Sequence, residues 1–369
     1  MTQKTPVYLR FASQYAEQLR TGLSAVVAID ETLWVANDET TSVERLSAQK
    51  PDHDGNPQYG GHAHFDLQDY LRLPQEAESG KKTAETDTEG MAYADGYLWL
   101  VGSHSLTRGN PDKHEDGDTA KRFQQLATLK RDGNRFLLAR IPVANGDHGL
   151  PELQKRATQD GVTRTAARLR ANASGDELTD ALRSDPHLRA FLDIPSKENG
   201  LDIEGLAVTG QRVFLGLRGP VLRGWAVILE LVPVEDASAS GLLRLTPTGP
   251  EERPYRKHFL NLAGRGIRDL CVQGDDLLVL AGPTMDLEGP MAVYRWRGGA
   301  TPAAESLVEA EELEIVLPDI PVSPEDHAEG VALFPRQDGE PGLLVVYDPS
   351  AATRQPDKKT VIADLFALD

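Results

Sequence analysis

Four acidic residues recur in one local context: Glu89, Glu204, Asp269 and Glu329. Three of them precede glycine and an apolar residue, as Glu89-Gly-Met-Ala, Glu204-Gly-Leu-Ala and Glu329-Gly-Val-Ala, while Asp269 leads into Leu-Cys-Val. Carboxylates gathered around one point repel each other unless a cation, an arginine or shared protons compensate them. Ca²⁺ suits such a ring, since it takes about 6–8 oxygen ligands in flexible geometry. Mn²⁺ and Mg²⁺ are the alternatives. Zinc fits less well, because His104 and His327 are the nearby imidazoles and no thiolate is in reach. Asp38, Glu39, Asp87, Asp202, His327 and Asp348 fall at places expected on the same face. Arg218 and Arg268 are the groups to hold an anionic substrate. His104 is the candidate general base. Each residue also has a plainer reading. The carboxylates would staple neighbouring strands, the arginines would neutralise them, and His104 would be a satisfied buried side chain. His62-Ala-His64 puts two imidazoles on one strand face without an evident third ligand.

The elements that must position these residues repeat. Five segments read as a strand, a tight turn, a second strand and a polar cluster. They begin at Ser24, Glu89, Glu204, Asp269 and Glu329, with turns such as Asp95-Gly96 and Thr209-Gly210. The interval is about 65 residues, except for a longer one between Glu89 and Glu204. Evenly repeated antiparallel strands predict an all-β fold, a single β-propeller domain over residues 1–369 with five blades of about four strands. Six blades is the alternative, if the long interval hides another. Residues 146–196 have a different texture and predict a small helical insertion between blades two and three. Ser174-Gly-Asp-Glu177 reads there as a capping box, and Asp185-Pro186 as a second helix start. Lys155–Arg170 reads as a solvated helix face or a docking surface. Leu242–Leu245 reads as a further strand of the third unit. The strand over residues 6–11 is expected to close the last blade beside Val361–Phe366. Polar loops over 47–61, 74–88 and 107–121 are surface loops or lids. Cys271, Trp34 and Trp99 read as packing residues.

Composition narrows the function. The chain has 369 residues and a net charge of −18, which argues against general binding to nucleic acid or anionic membrane. No apolar run is long enough to span a bilayer, no secretory signal is visible, and the cytoplasm is the expected compartment. One cysteine excludes an internal disulfide and a cysteine-based zinc cluster. No phosphate-binding glycine loop, nucleophile elbow or dinucleotide fingerprint is present.

Ile194-Pro-Ser-Lys-Glu-Asn-Gly-Leu-Asp-Ile-Glu-Gly-Leu-Ala-Val208 and Gly216-Leu-Arg-Gly-Pro-Val-Leu-Arg-Gly-Trp225 resemble an uncharacterised bacterial family, the domain of unknown function 3616. The resemblance runs from Val26 to Tyr347. Asp202-Ile-Glu-Gly-Leu-Ala207 is also similar to a propeller domain named for an esterase-like activity of phytase. That second likeness implies calcium-assisted hydrolysis of a phosphoester or ester. Ser24 in the first unit and Asp269 without a following glycine depart from the motif. Three functions follow: a metal-dependent phosphoester, ester or lactone hydrolase on a small anionic substrate; a non-catalytic propeller binding a protein or polar ligand, with a structural cation; or a scaffold docking through its insertion.

Overall fold

A computed structural model describes residues 4–368 except 77–82, 112–117, 147, 286, 321–324 and 337–338. Parts of two expected loops, 74–88 and 107–121, therefore lie outside the described residues. The fold is all-β. Each of the five repeats forms a hairpin. The first strands are Ala25–Ile29, Thr88–Ala94, Asp202–Thr209, Gly266–Gln273 and Ala328–Pro335. Their partners are Thr32–Ala36, Tyr97–Gly102, Arg212–Gly219, Asp276–Gly282 and Pro341–Tyr347. At one turn Asp95 and Gly96 both take positive φ, 52° and 77°, as a two-residue hairpin turn requires.

The five first strands face one another around a common axis, and the ring closes. Ser24 Oγ donates to Thr88 O at 2.7 Å, linking units one and two. Gly90 sits against Leu206 and Gly205 against Leu270, which adds units three and four. Val331 N donates to Asp269 Oδ2 at 2.8 Å, adding unit five. Gly330 lies against Ala25, back in unit one. The glycines are required here. A Cβ on Gly90 would come 2.7 Å from Leu206 Cβ, and one on Gly330 would come 3.0 Å from Ala25 Cα. The core follows the same circle. Five apolar clusters each fill the space between two successive units. Trp34 lies in the cluster between units one and two, and Trp99 between two and three. Cys271 lies among the small and apolar residues that line the axial channel.

Hydrogen-bonded sheets do not map one to one onto the units. Lys4–Arg10 pairs antiparallel with Thr360–Ala367, and at Tyr8 and Leu9 it also meets Gln58 and Tyr59 in parallel. This bridge merges units one and five into one eight-stranded sheet. Leu242–Leu245 corrects the expected placement. It pairs with Ala167–Leu169 on the outside of unit two, not with unit three.

The insertion is a second correction, because it is not predominantly helical. Arg156–Gln159 and Val162–Thr165 form a hairpin where a solvated helix face was expected. Short strands continue through Gly175–Asp176. Helix begins only at Glu177–Leu182, capped by Asp176 with Thr179 rather than by Ser174 with Glu177. Each of these two strands carries one charged residue, Arg156 and Arg164, and Asp160 takes the turn between them, a placement that charge content alone does not distinguish from a helix.

Candidate functional site

One β-bulge repeats in four of the first strands and builds the site. The register shifts by one residue at Glu89, at Glu204, between Ile267 and Asp269, and at Glu329. A bulge leaves one residue unpaired and re-aims its side chain. In unit four that residue is Arg268. Asp269 occupies the place held by Gly90, Gly205 and Gly330 elsewhere. The expected equivalence of Asp269 with the three glutamates is therefore corrected by one position. Its side chain does not join the carboxylate ring: it accepts Val331 N at 2.8 Å and Leu270 N at 2.7 Å. Asp269 staples two neighbouring strands. Burial lifts its carboxyl well above the usual range even against those amide bonds.

The bulged residues face a cavity of about 540 Å³ at the mouth of the axis. Asp38, Asp87, Glu89, Asp202, Glu204, Arg218, Arg268, His327, Glu329 and Asp348 line it, so units one to five all contribute. Glu39 corrects the expectation for the first unit. It lines a separate depression of about 690 Å³, beside His64 and the buried Glu44. His62 Nε2 and His64 Nδ1 bond that Glu44 carboxylate, at 2.6 and 2.9 Å.

Carboxylate oxygens of Asp38, Asp87 and Glu89 converge within 4.8 Å of one another. Among the described residues, Arg135 pairs with Asp87 at 2.6 Å, while neither Asp38 nor Glu89 enters a salt bridge. Burial pushes the Asp87 carboxyl up to about 7, although the Arg135 charge pulls it down. Burial first, then the charges of Asp87 and Glu204, hold Glu89 well above the carboxylate range. Asp348 is pushed up to about 7 by burial and by Asp38, with which it shares a hydrogen bond. Asp202 is raised to about 6 by burial, against the pull of Arg218. Burial also raises Glu329, against the charge of Arg268. Burial and mutual repulsion thus disfavour the ionised forms of these groups, a cost that a cation would offset.

The arginines do something other than expected. Arg218 Nη1 pairs with Glu204 at 2.8 Å, and its Nη2 faces Asp202. Arg268 Nη1 pairs with Glu329 at 2.5 Å and lies 3.4 Å from Glu204, while its Nη2 donates to Pro283 O. Both are committed to neighbouring carboxylates and carbonyls, so neither is available to grip an anion. Arg135, which sequence reasoning missed, plays the same part for Asp87 and Glu85. It arrives on a short 3₁₀ turn, Gly133–Phe136, outside the repeated motif.

His104 is the clearest correction. It is buried away from the cavity, with its Nδ1 on Gly102 O at 2.8 Å and its Nε2 on Asp176 Oδ2 at 2.8 Å. Two acceptors at the two ring nitrogens favour the doubly protonated imidazolium. Burial alone would lower its pKa, but the Asp176 carboxylate outweighs this and the net shift is upward. His104 is one half of a buried ion pair, not a base.

A family sequence profile matches residues 22–364. The chain belongs to that family, described as Protein of unknown function (DUF3616). No curated protein matches the sequence. Among solved structures, the glutaminyl cyclase of Myxococcus xanthus is similar at 10% identity, covering 100% of this chain and 99% of that one, with a TM-score of 0.39. The PQQ-bound aldose sugar dehydrogenase of Streptomyces coelicolor is 12% identical over 99% of each chain, with a TM-score of 0.35. PhoX of Pseudomonas fluorescens, in complex with vanadate, is 10% identical over 99% of this chain and 75% of that one, with a TM-score of 0.32. Likeness at this level supplies no chemistry. Among the described residues, no helix is long and apolar enough to cross a membrane.

Proposed function

We propose that this chain is a five-bladed propeller that binds a divalent cation at the mouth of its axis and uses it to hydrolyse an ester-type bond. Asp38, Asp87 and Glu89 are the proposed ligands. One observation carries the reading: three carboxylates converge in a cavity large enough for a substrate, and two of them enter no salt bridge among the described residues. An all-oxygen set favours Ca²⁺, with Mn²⁺ and Mg²⁺ as alternatives. The cation would supply Lewis-acid polarisation of a phosphoryl or carbonyl oxygen. Glu204 and Glu329 are not proposed as direct ligands, because they do not belong to the carboxylate group that converges within 4.8 Å. Their pairs with Arg218 and Arg268 hold the opposite wall of the cavity in shape.

A second reading is a non-catalytic propeller that docks a polar ligand or protein partner over a structural cation. The burial of His104 favours it, since this removes the expected imidazole base. Calcium titration calorimetry on wild type and Glu89→Gln tests the shared premise. About one site per chain, lost in the variant, is the expected result. No binding in either protein overturns both readings. Turnover in a panel of phosphoesters, esters and lactones then separates the enzyme from the binding module.

A further inference from the structure

The three arginines around the cavity carry a consequence for the substrate. A phosphate monoester brings up to two negative charges, which a site meets with guanidinium or ammonium groups, with metal ions, or with both. Here eight carboxylates line the cavity against four cationic side chains, Arg135, Lys197, Arg218 and Arg268. Every terminal nitrogen of the three arginines already faces a carboxylate, hydroxyl or carbonyl oxygen. Their Nε–H groups donate no hydrogen bond, yet all three are sealed from solvent and cannot reach a ligand. Lys197 is engaged as well. With every carboxylate ionised, the lining stays acidic even beside one divalent cation. The rim carries some apolar surface where the fourth and fifth units meet it, beside Glu288 and His327. Met285, Leu287 and Pro349 line it, and Leu287 is 57% exposed.

Resting on the cation-dependent hydrolase reading, we infer that the substrate is a neutral carbonyl ester or lactone with an apolar flank, not a phosphate ester. Water forms the new bond to the acyl carbon and the acyl–oxygen bond breaks. The leaving oxygen takes one proton of that water, and the other goes to solvent as the acid product ionises. The apolar flank of the substrate lies against Leu287 and Met285.

The experiment uses the full chain in three steps. Calcium binding is measured first, by calorimetry. Calcium-loaded protein is then assayed with p-nitrophenyl acetate, p-nitrophenyl octanoate, an alkyl γ-lactone and p-nitrophenyl phosphate. Phenyl phosphate and an alkyl γ-lactam of similar size are compared as competitors. Expected is turnover of the octanoate and the lactone, competition by the lactam, and none by phenyl phosphate at millimolar concentration. Leu287→Asp should raise KM for the octanoate by about tenfold, the effect of losing one apolar contact, with calcium binding unchanged. Turnover of the phosphate ester, or submillimolar competition by phenyl phosphate, overturns this inference and leaves the hydrolase reading standing. Calcium binding with no turnover or competition from any probe overturns both. An unchanged octanoate KM in Leu287→Asp overturns the apolar flank. Absence of calcium binding, seen at the first step, is the failure of the underlying reading.

Discussion

Removing calcium should make the folded protein lose stability as pH rises from 5 to 7, and adding it should reverse that loss. Asp87 and Asp348 are lifted from 3.8 to about 7, and Asp202 to about 6. In the unfolded chain the same groups ionise near their ordinary values. Between those limits the native state binds more protons than the unfolded state, so the slope of unfolding free energy with pH is negative. One pKa unit is about 1.4 kcal/mol for each proton held. The three groups interact, so the native excess is taken as about one to two protons. Over two pH units that is about 3–5 kcal/mol. At roughly 2.1 cal/mol/K per residue, a chain of this length shifts by a little over 1 °C per kcal/mol, so the drop in Tm is about 4–7 °C.

The assay is a thermal melt in chelator and in excess calcium at pH 5, 6 and 7. Calcium at about 100 times its Kd adds about 2.7 kcal/mol, and more as protons leave its ligands. Its stabilising shift should therefore grow with pH. Two other sets of groups fix the window. Asp185 and Asp364 are held below their ordinary values by Lys257 and Arg354, against the effect of burial. Their contribution is present above about 3.8 and is lost as pH falls, so it does not affect the interval from 5 to 7. His104 is raised by Asp176 against burial. Its contribution is complete below about 6.5 and is lost as pH rises through its higher folded value, with or without calcium. A Tm that is flat or rises from pH 5 to 7 in chelator would refute the reasoning. So would a calcium shift of equal size at every pH.

Two further outcomes separate structural groups from the site. His104→Gln should cost about 3–5 kcal/mol, because it leaves Asp176 buried without its cation, while calcium affinity stays at the wild-type value; denaturant melts paired with calorimetry measure both. Asp269→Ala should cost about 1–3 kcal/mol for each amide it strands, Leu270 N and Val331 N, again without loss of calcium binding; a lost calcium site in a folded variant would restore Asp269 to the ligand set.

The errors in reading the site from sequence share one physical origin. Repeated hairpins show in the sequence because strands alternate apolar residues and turns need residues that accept positive φ. The family resemblance, the repeat and the carboxylates Asp38, Glu89 and Asp348 at the axis mouth were all legible on that basis. A bulge is not, because it adds one residue without altering composition. Aligning Asp269 with Glu89 by its charge put unit four out of step by one position, and only the strand pairing of Ile267 and Asp269 reveals it. Partners distant in sequence were equally hidden. Nothing near His104 announces that Asp176 meets it across the fold, or that Arg135 leaves its own turn to reach Asp87.

The glycine in each Glu-Gly pair carries the same lesson further. Gly90, Gly205 and Gly330 are small because the next first strand passes within contact distance of their Cα atoms. That close approach brings the bulged Glu89, Glu204 and Glu329 to a shared axis. In unit four an aspartate fills the glycine position, and it fits because it bonds the passing amide of Val331. The bulge in that unit then carries Arg268, whose charge lies between Glu204 and Glu329. Arg218 and Arg268 thus pair with Asp202, Glu204 and Glu329, and Arg135 with Asp87, while Asp38, Glu89 and Asp348 enter no salt bridge among the described residues. On the proposed reading, a cation would sit beside Asp38, Asp87 and Glu89.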